Sequence, residues 1–441
     1  MSDECGAGLL LPPLTRVRQR FDAAKPEDPA GELRRQLAAS GVALRAGQQV
    51  AIAVGSRGIA NHQGLVAETV AFVRAQGADP FIVPAMGSHG GATAEGQRAV
   101  LEGYGITEAN VGAPIRSSME VVELPRGDLP APVYWDRNAY GADGVIVINR
   151  IKPHTDYHGP YESGLMKMLS VGLGKQQGAA ALHHLGVPGL RDVAPRVARA
   201  ILAQGKVLLG VAIVENAYDQ TCLVRVLRAE EIPEREPELL DEARRRMPSL
   251  PVRDVDILIV DRIGKDISGT CLDPNIIGRT LIRGEPEPDY PRVKMLVARE
   301  MTEGSHGNAL GVGLADIITK RLFDRIDLHA TYANLFTAGF LERGKIPIIT
   351  ENDQRAIEFA FRGCGPVEPP TARIIRIRDT LHLDELHVSP EVLRELEGSP
   401  RIQVLGPFGE PFDGEGNLRP FGSAAPAATA SLPPRAASAG S

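Results

Sequence analysis

The stretch from Asn149 to Gly186 holds His154, His158, Lys167, Lys175, His183 and His184 in a glycine-rich setting. Imidazole titrates near neutrality, so it can act as acid, base or metal ligand. Four of the ten histidines lie in this one segment, which argues for a shared purpose. The competing reading is a set of surface-loop histidines with no role. His154 and His158 have the spacing of half a zinc-protease helix. However, Pro153, Gly159 and Pro160 break any helix there, and no glutamate follows His154 directly.

Two upstream loops carry further candidates. His89 lies in Gly87-Ser88-His89-Gly90-Gly91, where small neighbours let a ligand approach the backbone. It reads as an acid/base group or as a turn histidine. Arg57 lies in Gly55-Ser56-Arg57-Gly58, and a guanidinium there suits a carboxylate or phosphate. Lys265, in the polar loop Ile263 to Gly269, is a second candidate for the same task. None of these glycine loops is a GxGxxG or Walker A motif, so ordinary dinucleotide or ATP chemistry is not signalled.

The elements that must position these residues read as α/β. Gln49 to Val54 is a buried-strand run, followed by a helical stretch from Gly64 to Gln76. A second strand runs from Pro80 to Met86, and Thr93 fits the cap of another helix. Strands at Gly144 to Asn149 and Val207 to Val214 complete a parallel layer, with ligands expected at the carboxyl ends of its strands. After the charged segment 229–250, Pro251 restarts the chain. A second α/β unit opens at Val255 to Val260 and continues through strands near Ile346 and Ala372. The expected architecture is two α/β domains with a cleft between them. The domains would be residues 1–250, carrying cofactor and catalysis, and 251–421. Residues 422–441, rich in Ala, Ser and Pro, would form a disordered tail.

Composition narrows the class. Hydrophobic residues make up 43% and charged residues 24% of 441, as in an ordinary globular protein. The net charge of −6 argues against a broadly basic nucleic-acid binder. Cys5, Cys222, Cys271 and Cys364 form no CxxC pair, so a disulfide scaffold is not expected. No apolar run approaches the roughly 20 residues needed to cross a bilayer. The expectation is a cytoplasmic enzyme without nucleic-acid or membrane partners.

The order and separation of these motifs resemble the lactate racemase family, the enzymes that use a nickel-pincer nucleotide. The resemblance covers about residues 48–190 well and continues less specifically through 255–279. It implies His89 and His154 as the acid/base pair, and Arg57, with Lys265 as a weaker candidate, holding the substrate carboxylate. It also implies Lys167, in Ser163-Gly164-Leu165-Met166-Lys167, as the covalent anchor of the cofactor, with Gly87, Ser88 and Gly164 beside it. His183 would be the nickel ligand, with the adjoining His184 as the alternative. The implied activity is racemisation or epimerisation at C2 of a 2-hydroxy acid. Its partners would be that acid and the enzymes that build the cofactor.

The chemistry accounts for the residue types. The C2 hydrogen of a hydroxy acid is barely acidic, so its removal as a hydride is easier than its removal as a proton. The hydroxyl must lose its proton as the hydride leaves, and two histidines serve the two hands of substrate. A fixed cation holds the carboxylate while the carbonyl turns. Two other readings remain at this point. One is a divalent-metal hydrolase or lyase using His154, His158 and His183 directly. The other is a non-catalytic protein whose cleft captures a carboxylate.

Overall fold

The structure, a computed structural model, describes residues 11–55 and 58–422, apart from the side chain of Thr337. Arg57, Ser56, Cys5 and the tail from residue 423 therefore lie outside the described residues. The first strand, β1 (Thr15–Gln19), does not join the strands that follow it in sequence. The first sheet begins with β2 (Gln49–Val54) and β3 (Asp79–Pro84). A separate hairpin follows, β4 (Val121–Leu124) with β5 (Val133–Asp136). The sheet then resumes with β6 (Gly144–Arg150), β7 (Val207–Glu215) and β8 (Thr221–Arg228). Its order is β3-β2-β6-β7-β8. The first four strands are parallel as expected, whereas β8 returns antiparallel to β7 and closes one edge.

Both faces of this sheet are covered, which is why its strands read as continuous apolar runs. Ala51, Ala53, Val145 and Val147 face one core. Val50, Ile52, Val54, Ile146 and Ile148 face the other, against helix His62–Ala75. The expected capped helix is Ala94–Gly103, where the Thr93 hydroxyl accepts a hydrogen bond from Gly96 N at 3.0 Å. The charged segment after Arg228 forms helix Ile232–Arg246.

The second sheet contains β9 (Asp254–Ile263), β10 (Arg292–Met301), β11 (Ile317–Thr319) and β12 (Ile348–Thr350), all parallel. On its other side β9 pairs with β13 (Ile374–Ile377), also parallel. Then come β14 (Glu385–Val388) and β15 (Ile402–Pro407). The full order is β12-β11-β10-β9-β13-β14-β1-β15. Among the described residues, the first strand thus lies between two of the last, antiparallel to both. Residues 15–19, grouped with the first 250 by the sequence reading, therefore build the second sheet. Leu258 and Val260 alternate with Ile257 and Ile259 between the two cores of that sheet.

Candidate active site

The carboxyl end of β6 leads through a loop into a broken helix. A short turn, Leu165–Lys167, passes into a π-helical turn, Met168–Gly172, and then into helix Lys175–His183. Inserted π turns widen a helix and are frequent at functional sites. The start of this helix is buried, so its amide groups need partners. Glu236, from helix Ile232–Arg246, supplies one: its Oε2 accepts from Met166 N at 2.9 Å. Gly164 is what lets that carboxylate approach, because a Cβ there would lie 2.1 Å from Glu236 Oε1. Burial pushes the Glu236 carboxyl up to about 8, against the opposing bonds from Met166 and Leu165.

The loop carrying His154 is held from within by Glu162, a carboxylate only 1% exposed. Glu162 accepts from His154 N at 2.5 Å, from Gly159 N at 3.1 Å and from Arg244 at 2.5 Å. The second half of the chain holds the same loop from outside. Asn275 Nδ2 donates to His154 O at 3.2 Å. Arg343, 1% exposed, donates to Asp156 Oδ1 at 2.5 Å and to Thr155 O at 2.9 Å. Burial alone would raise the Asp156 carboxyl; the charges of His154 and Arg343 outweigh it and hold the carboxyl well below its usual range.

His154 and Lys167 meet at this point, and His183 lies within electrostatic reach of Lys167 and Asp156. The His154 ring stacks on Tyr157 with centroids 4.5 Å apart, and its Nε2 meets Lys167 Nζ. Its Nδ1 accepts from Asp156 N at 3.0 Å. Burial, and then the charge of Lys167, lower the His183 pKa against the opposing pull of Asp156. His183 is therefore a neutral imidazole at neutral pH, the form that binds metals. His184 beside it is exposed.

The His89 turn abuts the same helical segment. Gly87 N donates to Gly172 O at 3.1 Å. Gly87 has φ +58°, and a Cβ there would stand 3.3 Å from Val171 O and 3.4 Å from Ala179 Cβ. Val171 is four residues beyond Lys167, and Ala179 four before His183. Ser88 is half-buried within the turn, and its carbonyl accepts from Ala92 N at 3.1 Å. His89 is exposed, with Nδ1 2.8 Å from Met86 O. A carbonyl can only accept, so Nδ1 carries the proton and Nε2 the lone pair.

The remaining expected residues are placed differently. Lys265 is bound within the second half, its Nζ donating to Gly269 O and to Asn334 Oδ1 at 2.8 Å. His158 turns its Nδ1 to Glu162 at 3.2 Å. Among the described residues, no three His, Cys, Asp or Glu side chains gather into a group that could hold a metal ion. The reading in which His154, His158 and His183 together ligate one divalent ion is overturned by this arrangement. A cavity of about 670 Å³ lies elsewhere, beside Asp28, Gly58, His62 and Tyr104. Asp156, Glu162, Glu236 and Arg343 are residues that the sequence reading does not single out, whereas Asn275 lies in the polar loop after the Val255 to Val260 strand that it marks as a site candidate.

No family model matches the chain, and no curated protein does. Among solved structures, the lactate racemase apoprotein from Thermoanaerobacterium thermosaccharolyticum aligns over 83% of this chain and 98% of its own, with a TM-score of 0.52 and 12% identity. The chain shares the fold of that lactate racemase. A Thermotoga maritima protein also aligns, over 61% of this chain and 70% of its own, with 14% identity and a TM-score of 0.42. No helix among the described residues is long and apolar enough to cross a membrane.

Proposed function

We propose that the chain is a racemase or epimerase acting at C2 of a 2-hydroxy acid with a nickel-pincer nucleotide. The observation that carries this reading is the contact of His154 with Lys167, within electrostatic reach of His183, in a chain with a lactate racemase fold. The donor set fits the cofactor. A bare divalent ion needs three or four protein ligands, and the described residues gather no such group. A pincer nucleotide brings its own donor atoms and asks the protein for one neutral imidazole, the form His183 takes. Lys167 would anchor the nucleotide, and Gly87, Ser88 and Gly164 would let it lie close to the backbone.

The chemistry the bound cofactor supplies is acceptance and return of the C2 hydride. The rest is done by the chain. His89, with its lone pair on Nε2, takes the hydroxyl proton of one hand of substrate. His154 returns a proton to the oxygen on the other face. Asp156 and Arg343 fix the loop that orients the His154 ring. Arg57, with Lys265 second, holds the carboxylate so that only the carbonyl turns.

The test is denaturing intact-mass spectrometry with nickel analysis, on protein co-expressed with the cofactor-building enzymes. A mass increment mapping to Lys167 with near-stoichiometric nickel, and interconversion of a 2-hydroxy acid's two hands, is the expected result. Nickel without an increment removes Lys167 as the anchor. Folded protein with neither nickel nor increment overturns the reading.

A further inference from the structure

We propose that Lys175 and Gln97 are positioning residues for His89, setting the turn from which its imidazole projects. The inference rests on reading His89 as an acid/base residue. Lys175 opens the helix that ends at His183, and its side chain is completely buried. Its backbone has φ +53°, a region that costs a non-glycine residue free energy and persists only where surroundings impose it. Its Nζ donates to Pro84 O at 2.7 Å and to Gln97 Oε1 at 2.8 Å. Asp136 Oδ2 stands 3.3 Å away.

Gln97, on helix Ala94–Gly103, is also completely buried and uses both ends of its amide. Its Nε2 donates to Gly87 O at 2.8 Å and to His89 O at 3.3 Å, the carbonyls on either side of Ser88. The polarity of that amide is fixed from both sides. An ammonium only donates and the two carbonyls only accept, so Gln97 offers Lys175 its oxygen and turns its NH₂ to the turn. Without Lys175 the amide oxygen loses its buried donor, and the side chain is no longer clamped between the helix and the turn. A buried charged pair is weak evidence of stabilisation, because apolar side chains of similar volume often serve as well. The function this cluster fits is alignment: it ties the His89 turn to the helix bearing Lys167 and His183.

The experiment is histidine-selective ¹³C/¹⁵N NMR of the full chain without cofactor, with His89, His154 and His183 assigned by substitution. Gln97→Glu keeps the acceptor for Lys175 and removes the donor to the turn. The expected result is a displaced, broadened His89 cross-peak whose two ring nitrogens lose their tautomeric distinction, while His154 and His183 stay in place. Lys175→Met/Asp136→Asn is the second variant: it removes both charges together and retains an acceptor oxygen for the cap on Ala139. It should fold and show the same His89 change. Once turnover is established, kcat should fall by about 10²-fold with KM unchanged, as for a small misplacement of a reacting group. An unmoved His89 cross-peak in either folded variant overturns the proposal. A moved cross-peak in a chain that never racemises a hydroxy acid keeps the positioning role and removes only the proposed reaction.

Discussion

Arg343 is the residue whose role its sequence setting hides. It lies in Leu341-Glu342-Arg343-Gly344, which reads as an exposed turn, yet it reaches across to Asp156 and Thr155. Breaking one member of a buried ion pair leaves the other charge uncompensated, at a cost of about 3–5 kcal/mol. Arg343→Met and Asp156→Asn should therefore each lower stability strongly. The double variant should lose less than their sum, with a coupling of about 0.5–3 kcal/mol in urea unfolding. Coupling near zero would remove the pair from the account. Glu236 offers a second check at this scale. Its folded pKa is raised, so the folded state binds the extra proton. That contribution is fully present below the ordinary carboxylate range and is lost as pH rises toward about 8. Glu236→Gln should abolish this component, so the melting temperature of the variant should fall less between pH 5 and pH 8.5 than that of the parent. Equal slopes would mean that Glu236 is ionised throughout.

The broken helix 165–183 is where sequence and structure differ most in legibility. The strands β2, β3, β6, β7 and β9 could be read because burial on both faces leaves uninterrupted apolar runs. The edge strands β8 and β15 and the short antiparallel β14 could not, because their partners and exposure vary along their length. His154, Lys167 and His183 were visible as reactive types in one segment. Their supports were not: Glu236 is an ordinary residue until the fold turns it inward, and the histidine spacing says nothing of Arg343. Gly164 was read as a residue open to ligand, whereas the structure gives it a packing reason of its own. Gly164→Ala should destabilise the chain by about 1–3 kcal/mol through the clash with Glu236. Shortening the opposing side chain in Gly164→Ala/Glu236→Ala should recover part of that loss in thermal unfolding. A well-tolerated single substitution would contradict the close approach.

At the scale of the molecule, the two sheets are joined by more than the segment between them. Asn275 and Arg343 grip the His154 loop, and β1 lies in the second sheet. Removing residues 1–20 should expose the strand edges of β14 and β15 and leave β2 to β7 intact. Hydrogen exchange should therefore accelerate at 385–388 and 402–407, with little change at 49–54 and 144–150. Uniform acceleration would instead mean that the first sheet depends on β1.

That threading also constrains how the chain comes into being. Thr15 faces Val388 on one side and Pro407 on the other. Residues 15–19 leave the ribosome long before both strands they pair with. The β2 to β8 sheet can close from contiguous chain while residues 15–19 still wait. Closing so long a loop is slow, and an unpaired strand is open to wrong partners meanwhile. Completion of the second sheet is therefore a late event that draws residues 15–19 to residues 385–407, and a ribosome-stalled fragment ending before β14 would hold β1 unpaired.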